Sequence, residues 1–251
     1  TAGAPIHIKI KGVIVPVNQQ LMEPPMIQKI ASELMSPEQA AAFEERKEMN
    51  LSLGVPKLGN FRINLFQQRA SISIVVRYIL GNIPPLDSLL LPPVLADLVM
   101  ERRGLILIVG STGSGKSTTI ASMLDHRNAN CTGHILTIED PIEYLFRHKK
   151  SIVNQREIGL DTLGWNNALK NAMRQAPDCI LIGEIRDQET MQAAIAYAQT
   201  GHLCLGTLHA NNSYHALNRM INFFPVDTRA SLYMDLSVSL KAIISQRLVK
   251  R

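Results

Sequence analysis

From Leu105 to Leu124 the chain reads LILIVGSTGSGKSTTIASML, and no other stretch restricts the fold as tightly. The run GLILIVG is apolar at nearly every position, which suits a strand covered on both faces of a parallel sheet. Gly110-Ser111-Thr112-Gly113-Ser114-Gly115-Lys116-Ser117 then fits the pattern G-x-x-x-x-G-K-[ST]. A helix over 115–126 follows, with Ile120, Met123 and Leu124 on one side. Strand, glycine-rich turn and helix in that order make a phosphate cradle. The backbone amides of residues 111–118 wrap a β-phosphate at the helix N-terminus, where the dipole favours negative charge. Lys116 reaches the β- and γ-phosphates, and the Ser117 hydroxyl takes Mg²⁺. The bland alternative, a glycine-rich hairpin, does not account for the flanking strand and helix.

The rest of the second half repeats the rhythm. HILTIED, CILIGE and HLCLGTLH are further apolar runs with helical stretches between them, which predicts an α/β domain with a parallel sheet and helices on both faces. Ligands in such sheets bind beyond the carboxyl ends of the strands. Glu184 closes one strand and is placed to touch Mg²⁺, through water more readily than directly because Glu is longer than Asp. Glu139, Asp140 and Glu143 close another, with Pro141 stopping it. Glu139 at the strand tip is the first choice for polarising water, and Glu143 the second; capping, or pairing with Arg147 and Lys149, is the alternative. A strand bearing a glutamate between the phosphate loop and Glu184 is the hallmark of one branch of phosphate-loop proteins. Asp187 caps a helix with Met191, Ala194, Ile195 and Ala198 on its apolar face, closed by Gly201. Arg186, beside Glu184, is a secondary candidate for touching nucleotide or a neighbouring chain.

The first half reads differently. Residues 6–17 alternate apolar and polar and turn at Gly12, as two short strands do. A helix from Pro25 to Leu34 follows. Ser36-Pro37-Glu38-Gln39 is a capping box with proline at the first helical position, opening a second helix from Pro37 to about Lys47. Strands at roughly 58–67 and 71–80 complete a small α+β domain over 1–80. Proline pairs at 84–85 and 92–93 mark 81–93 as a linker with one helical turn at most. A domain of the second type then runs over 94–251.

Composition narrows the class. The 251 residues are 46% hydrophobic and 19% charged, which excludes a disordered chain. A net charge of +5 suits nucleotide phosphates, nucleic acid or an anionic membrane face without choosing among them. Cys131, Cys179 and Cys204 are too scattered for a disulfide framework or zinc cluster, and as free thiols they fit a reducing cytoplasm. No apolar run approaches the ~20 residues of a membrane span, and no signal peptide is visible.

Five motifs in order, GSTGSGKST, TIEDPIEY, VNQREIGLDT, RQAPDCILIGEIRDQETM and TGHLCLGTLHANN, resemble the Walker A, aspartate-box, Walker B and histidine-box segments of the secretion-type ATPases that drive type IV pili. The match covers nearly the whole chain and is similar to the retraction motors of the PilT and PilU kind, with LKAIISQRLV nearer the PilU branch. The resemblance implies a RecA-like ATPase domain after a PAS-like domain, ATP and Mg²⁺ as ligands, and a ring hexamer. Each ATP would lie between one subunit's RecA-like domain and the next subunit's N-terminal domain. Arg62 and Arg77 match the positions that reach across in trans, with Arg69 a weaker third. It also implies a cytoplasmic protein peripheral to the inner membrane, with a sister retraction ATPase and an inner-membrane platform protein as partners. The family's C-terminal helices and its AIRNLIRE-type element are not within these residues.

Competing classes are a nucleic-acid translocase with the same core, an accessory subunit dependent on a sister motor, and a nucleotide kinase. No dense basic stripe with interleaved aromatics supports the first, so no nucleic acid is expected. No acceptor pocket or lid arginines are visible for the last. His202 and His209 flank the run 203–208. If that run is a strand they stand ~23 Å apart, too far for one zinc ion. His209, at the carboxyl end, is placed to sense a γ-phosphate. At the other end, His202 is a cap or interface residue by physics, and functional by resemblance.

Overall fold

The computed structural model describes every residue except Lys11, Lys57, Leu80, Lys250 and Arg251. The chain divides into two compact units, Thr1–Ile79 and Leu80–Arg251.

In the first unit, β1 (His7–Ile10) and β2 (Val13–Pro16) form an antiparallel hairpin. Helix α1 (Pro24–Leu34) starts on prolines, whose missing N–H costs nothing in a first turn. Helix α2 (Pro37–Arg46) carries the expected capping box: Gln39 N donates to Ser36 Oγ at 3.2 Å, and Ser36 N donates to Gln39 Oε1 at 2.9 Å. A three-stranded antiparallel sheet follows, β3 (Glu48–Val55), β4 (Gly59–Gln68) and β5 (Ser71–Ile79), in that order across the sheet. β3 was not expected from the sequence. The terminal residue of the last predicted strand, Leu80, lies outside the described residues. Ile27, Ala31 and Phe43 from the helices pack on Leu51, Ile63, Leu65 and Ile72.

In the second unit, a one-turn 3-10 helix (Leu86–Leu89) precedes α3 (Val94–Met100). The core is a six-stranded, wholly parallel sheet. In chain order its strands and helices are β6 (Gly104–Val109), α4 (Lys116–Asn130), β7 (Gly133–Glu139), β8 (Ser151–Glu157), α5 (Trp165–Ala172), β9 (Cys179–Ile182), α6 (Gln188–Gln199), β10 (Leu203–Leu208), α7 (Ser213–Asn222), α8 (Arg229–Ser239) and β11 (Leu240–Ser245). Across the sheet the order is β11-β6-β10-β9-β7-β8.

Alternation decides which helix covers which face. Leu105, Leu107 and Val109 of β6 face a core that includes residues of α5, α6, α7 and α8. Ile106 and Ile108 face α3 and α4. All six residues of β6 are buried, as a strand sandwiched between two helical layers requires. Asp187 caps α6 as expected: its Oδ1 accepts from Thr190 N at 2.9 Å, and Met191, Ala194, Ile195 and Ala198 are buried. Asp187→Ala should therefore lower stability by about 1 kcal/mol in urea unfolding and leave nucleotide affinity unchanged. An affinity loss would move Asp187 into the binding site.

Candidate functional site

The strand order sets four loops side by side along one edge of the sheet. From β6 toward β7 the carboxyl ends carry the phosphate loop, His209, Glu184 and Glu139 in turn. They share a cleft of about 640 Å³, within the roughly 300–1,000 Å³ common for small-ligand sites. Thr112, Gly113, Gly115, Lys116, Ser117, Thr118, Glu139, Glu143, Glu184 and His209 all line it. Of the predicted loop residues, Ser111 lines a neighbouring groove, and Ser114 is buried, its hydroxyl without a hydrogen-bond partner among the described residues.

The loop holds its shape through backbone that only glycine tolerates. Gly115 has φ +93°, and a Cβ there would stand 3.0 Å from Gln246 Nε2. Gln246, just past β11, ties the loop from outside: its N–H donates to Val109 O at 2.8 Å, and its Oε1 accepts from Thr119 Oγ1 at 2.9 Å. Sequence reasoning missed Gln246. Its only signal was a polar residue ending an apolar run, which many surface strands share. Lys116 is buried, and its Nζ donates to Gly110 O (3.0 Å) and Ser111 O (2.9 Å). Desolvation lowers its pKa, opposed by the nearby carboxylates of Glu143 and Glu184.

Glu184 is presented by a pinned turn. Gly183 N donates to Ile138 O at 2.8 Å, Ile185 N donates to Thr207 O at 2.8 Å, and the Thr207 hydroxyl donates to Gly183 O. A Cβ at residue 183 would stand 3.1 Å from Glu139 Cα, so a glycine is what lets the ends of β9 and β7 close up. His209 Nε2 lies 3.5 Å from Glu184 Oε1, with both side chains partly open to solvent.

Glu139 is the most altered acid. By surface area it is half-buried, with an opening into the cleft, yet most of the carboxyl is walled in by protein. Thr137 Oγ1 donates to its Oε1 at 2.6 Å and Gln155 Nε2 donates to the same oxygen at 3.2 Å. Desolvation dominates these bonds and the Glu143 backbone N–H, so its pKa is pushed up from 4.5 to about 7. Glu143 is exposed, and Asp140 also lines the cleft. Tyr144 OH and Thr118 Oγ1 are hydrogen bonded at 2.8 Å, joining the loop after β7 to the first turn of α4.

Within the second unit, two predicted residues, Arg186 and His202, stand apart from this cleft. Arg186 lies over the Trp165 ring, 5.8 Å from its centroid, and 3.8 Å from Asp187. It does not line the cleft. His202 sits at the opposite end of β10, its Nδ1 3.1 Å from Thr200 Oγ1 and 3.2 Å from Tyr197 O. Arg62 and Arg77 belong to the first unit, where they face each other across β4 and β5. They project from the sheet face opposite Ile63 and Leu65, away from α1 and α2. Arg62 is half-buried, Arg77 is exposed, and Arg69 lies in the β4–β5 turn with φ 46°.

A family model described as Type II/IV secretion system protein matches residues 2–251. The type IV pilus retraction ATPase PilT of Pseudomonas aeruginosa is 41% identical over 251 residues, the whole of this chain and 73% of that protein. The chain belongs to this family of P-loop ATPases. Type IV pilus ATPase PilU of the same organism is 49% identical over 249 residues, 99% of this chain and 65% of PilU. A crystal structure of the pilus retraction motor PilT with bound ADP superposes with a TM-score of 0.94 at 45% identity, covering 99% of this chain and 73% of that one. The chain thus spans about two thirds of PilU's length. The fold matches the PilT/PilU-like expectation, including the small antiparallel unit ahead of the parallel sheet.

Glu139 also leaves a mark on stability. A carboxyl whose pKa is higher folded than unfolded binds extra protons in the native state, so stability falls as pH rises from 4.5 through about 7. By that linkage, ionising Glu139 costs the fold about 3 kcal/mol. Glu139→Gln should gain about that much on wild type between urea unfolding at pH 4.5 and at pH 8. An identical pH dependence in both proteins would show that Glu139 is not desolvated.

Proposed function

We propose that this chain hydrolyses ATP at the carboxyl edge of its parallel sheet, powering a hexameric motor at the type IV pilus machine, for pilus retraction in a PilU-like role. One observation carries the reading: Lys116, Ser117, Glu139, Glu184 and His209 converge on one cleft in a chain 49% identical to PilU.

The backbone of residues 111–118 cradles the phosphates, and Lys116 exchanges its two loop carbonyls for phosphate oxygens. Ser117 and Glu184 would hold Mg²⁺. Hydroxyl and carboxylate oxygens suit that ion, and among the described residues no cluster of three or more His, Cys, Asp or Glu would bind a metal by itself. That is the donor set expected when a metal rests on one or two side chains plus phosphate. When bound, the ion offsets charge on the β- and γ-phosphates. Glu139 takes a proton from the attacking water; a base with a pKa near 7 is well matched to neutral pH. Glu143, exposed on the same cleft, is the second choice for that role. His209, paired with Glu184, senses the γ-phosphate.

Arg62 and Arg77 act in trans on the ATP of a neighbouring subunit, a contribution of order 10³–10⁵ in rate where an arginine offsets transition-state charge. In this reading residues 1–80 are the PAS-like domain, 94–251 the RecA-like domain, and 81–93 the linker across which they move. The motor works on the cytoplasmic side of the inner membrane with a platform protein and a sister ATPase. No helix among the described residues is long and apolar enough to cross a membrane, which fits peripheral attachment.

The purified protein should turn over ATP, and Lys116→Ala should abolish turnover. Glu139→Gln should lower kcat by about 10²–10⁴-fold with ATP still bound. Native mass measurement with ATP should give a hexamer; a monomer under all conditions would overturn the in-trans role of Arg62 and Arg77.

A further inference from the structure

Glu139 is held by more than its own strand. In the β7–β8 register Thr137 pairs with Gln155 and Glu139 with Glu157, so Gln155 reaches Glu139 diagonally across the two strands. Its amide is locked at both ends by backbone. Nε2 donates to Tyr144 O at 2.8 Å, and Oε1 accepts from Phe146 N at 2.9 Å. Turning the amide over would set N–H against N–H and carbonyl against carbonyl, so the orientation is forced. The remaining Nε2 hydrogen is aimed at Glu139 Oε1, the oxygen that also takes the Thr137 hydroxyl.

We propose that Gln155 is a positioning residue for Glu139: it transfers the fixed backbone of residues 144–146 onto one carboxylate oxygen, and so sets the rotation at which Glu139 meets the attacking water. This rests on the reading of Glu139 as the base. Side-chain length matters. Asn, one methylene shorter, cannot span both the 144–146 backbone and Glu139. Glu keeps the acceptor for Phe146 N–H but offers no donor to Tyr144 O or to Glu139. The same amide bridges to Tyr144, whose hydroxyl meets Thr118 in α4. The carboxylate is thereby referenced to the phosphate-binding helix as well as to the sheet.

A double-mutant cycle on the purified protein separates this role from simple support of the loop. Single-turnover ATP hydrolysis at saturating ATP is compared in wild type, Gln155→Glu, Glu139→Gln and the double variant, with ATP affinity measured in each. Gln155→Met repeats the cycle without added charge. Gln155→Glu and Gln155→Met should each slow hydrolysis about 10–100-fold, the scale of loss from misplacing a reacting group, with affinity within about twofold of wild type. In the Glu139→Gln background they should cost nothing further. An equal fold-loss in both backgrounds, or an unchanged rate in the single variants, overturns the inference and leaves Glu139 as base. Wild-type hydrolysis by Glu139→Gln alone overturns the base reading itself, and this inference with it.

Discussion

A strand in the middle of a parallel sheet must be apolar on both faces, and this requirement organises the second unit. β6, β10 and β9 are buried at every residue, because helices press on them from either side. Their middles therefore have no room for chemistry. Polar groups can emerge only where the strands end, and parallel pairing brings all the carboxyl ends to one edge. The register is tight: Leu208 stands beside Val109, and Ile182 beside both Gly206 and Ile138. Each catalytic candidate is thus the first polar residue, or nearly so, that its strand permits. With strands ~4.8 Å apart, the row from β6 to β7 spans ~14 Å, about the reach of a triphosphate with a water and its base.

That edge concentrates negative charge. Glu139, Glu143 and Glu184 share it with one lysine, and burial works against both signs. Glu139 responds by holding its proton to near neutrality, Lys116 by a lowered pKa. Neither is at its electrostatic optimum, and a phosphate anion beside Lys116 would favour its charged form. Strain of this kind is common where a site is built for a charged ligand rather than for the fold. His209 Nε2 stands beside Glu184 in the same row.

Much of this was legible in the sequence, for identifiable reasons. The phosphate loop is a local structure whose residues have backbone or ligand duties, so the eight positions from Gly110 to Ser117 define it almost completely. β6, β7, β9 and β10 declare themselves as continuous apolar runs, and the helix caps at Ser36 and Asp187 as short-range patterns. The omitted strands differ in kind. β8, SIVNQRE, is an edge strand that exposes Ile152 and buries Ser151 and Glu157, and β3 has a single buried residue, Leu51. β3, EMNLSLGV, does alternate apolar and polar residues and was passed over beside the helix that ends at Arg46, whereas β8 mixes polar residues into both of its faces. Gln246 and Gln155 were overlooked for another reason. Their importance lies in what they touch across the fold, and glutamine has no pattern that reveals a distant partner. Arg186 drew attention by its neighbour in sequence, Glu184, yet the flat Trp165 ring claims the guanidinium.

The arrangement also explains why the acids cannot be ranked by position alone. Glu139 and Glu143 are four residues apart at the end of one strand, and both reach the cleft. Their surroundings differ. Glu143 is exposed and surrounded by water. Glu139 has traded that water for two directed hydrogen bonds on one oxygen, both from side chains that packing holds still. A base works best when its geometry is set before the substrate arrives, since no free energy is then lost reorienting it. On that ground the enclosed carboxylate outranks the exposed one.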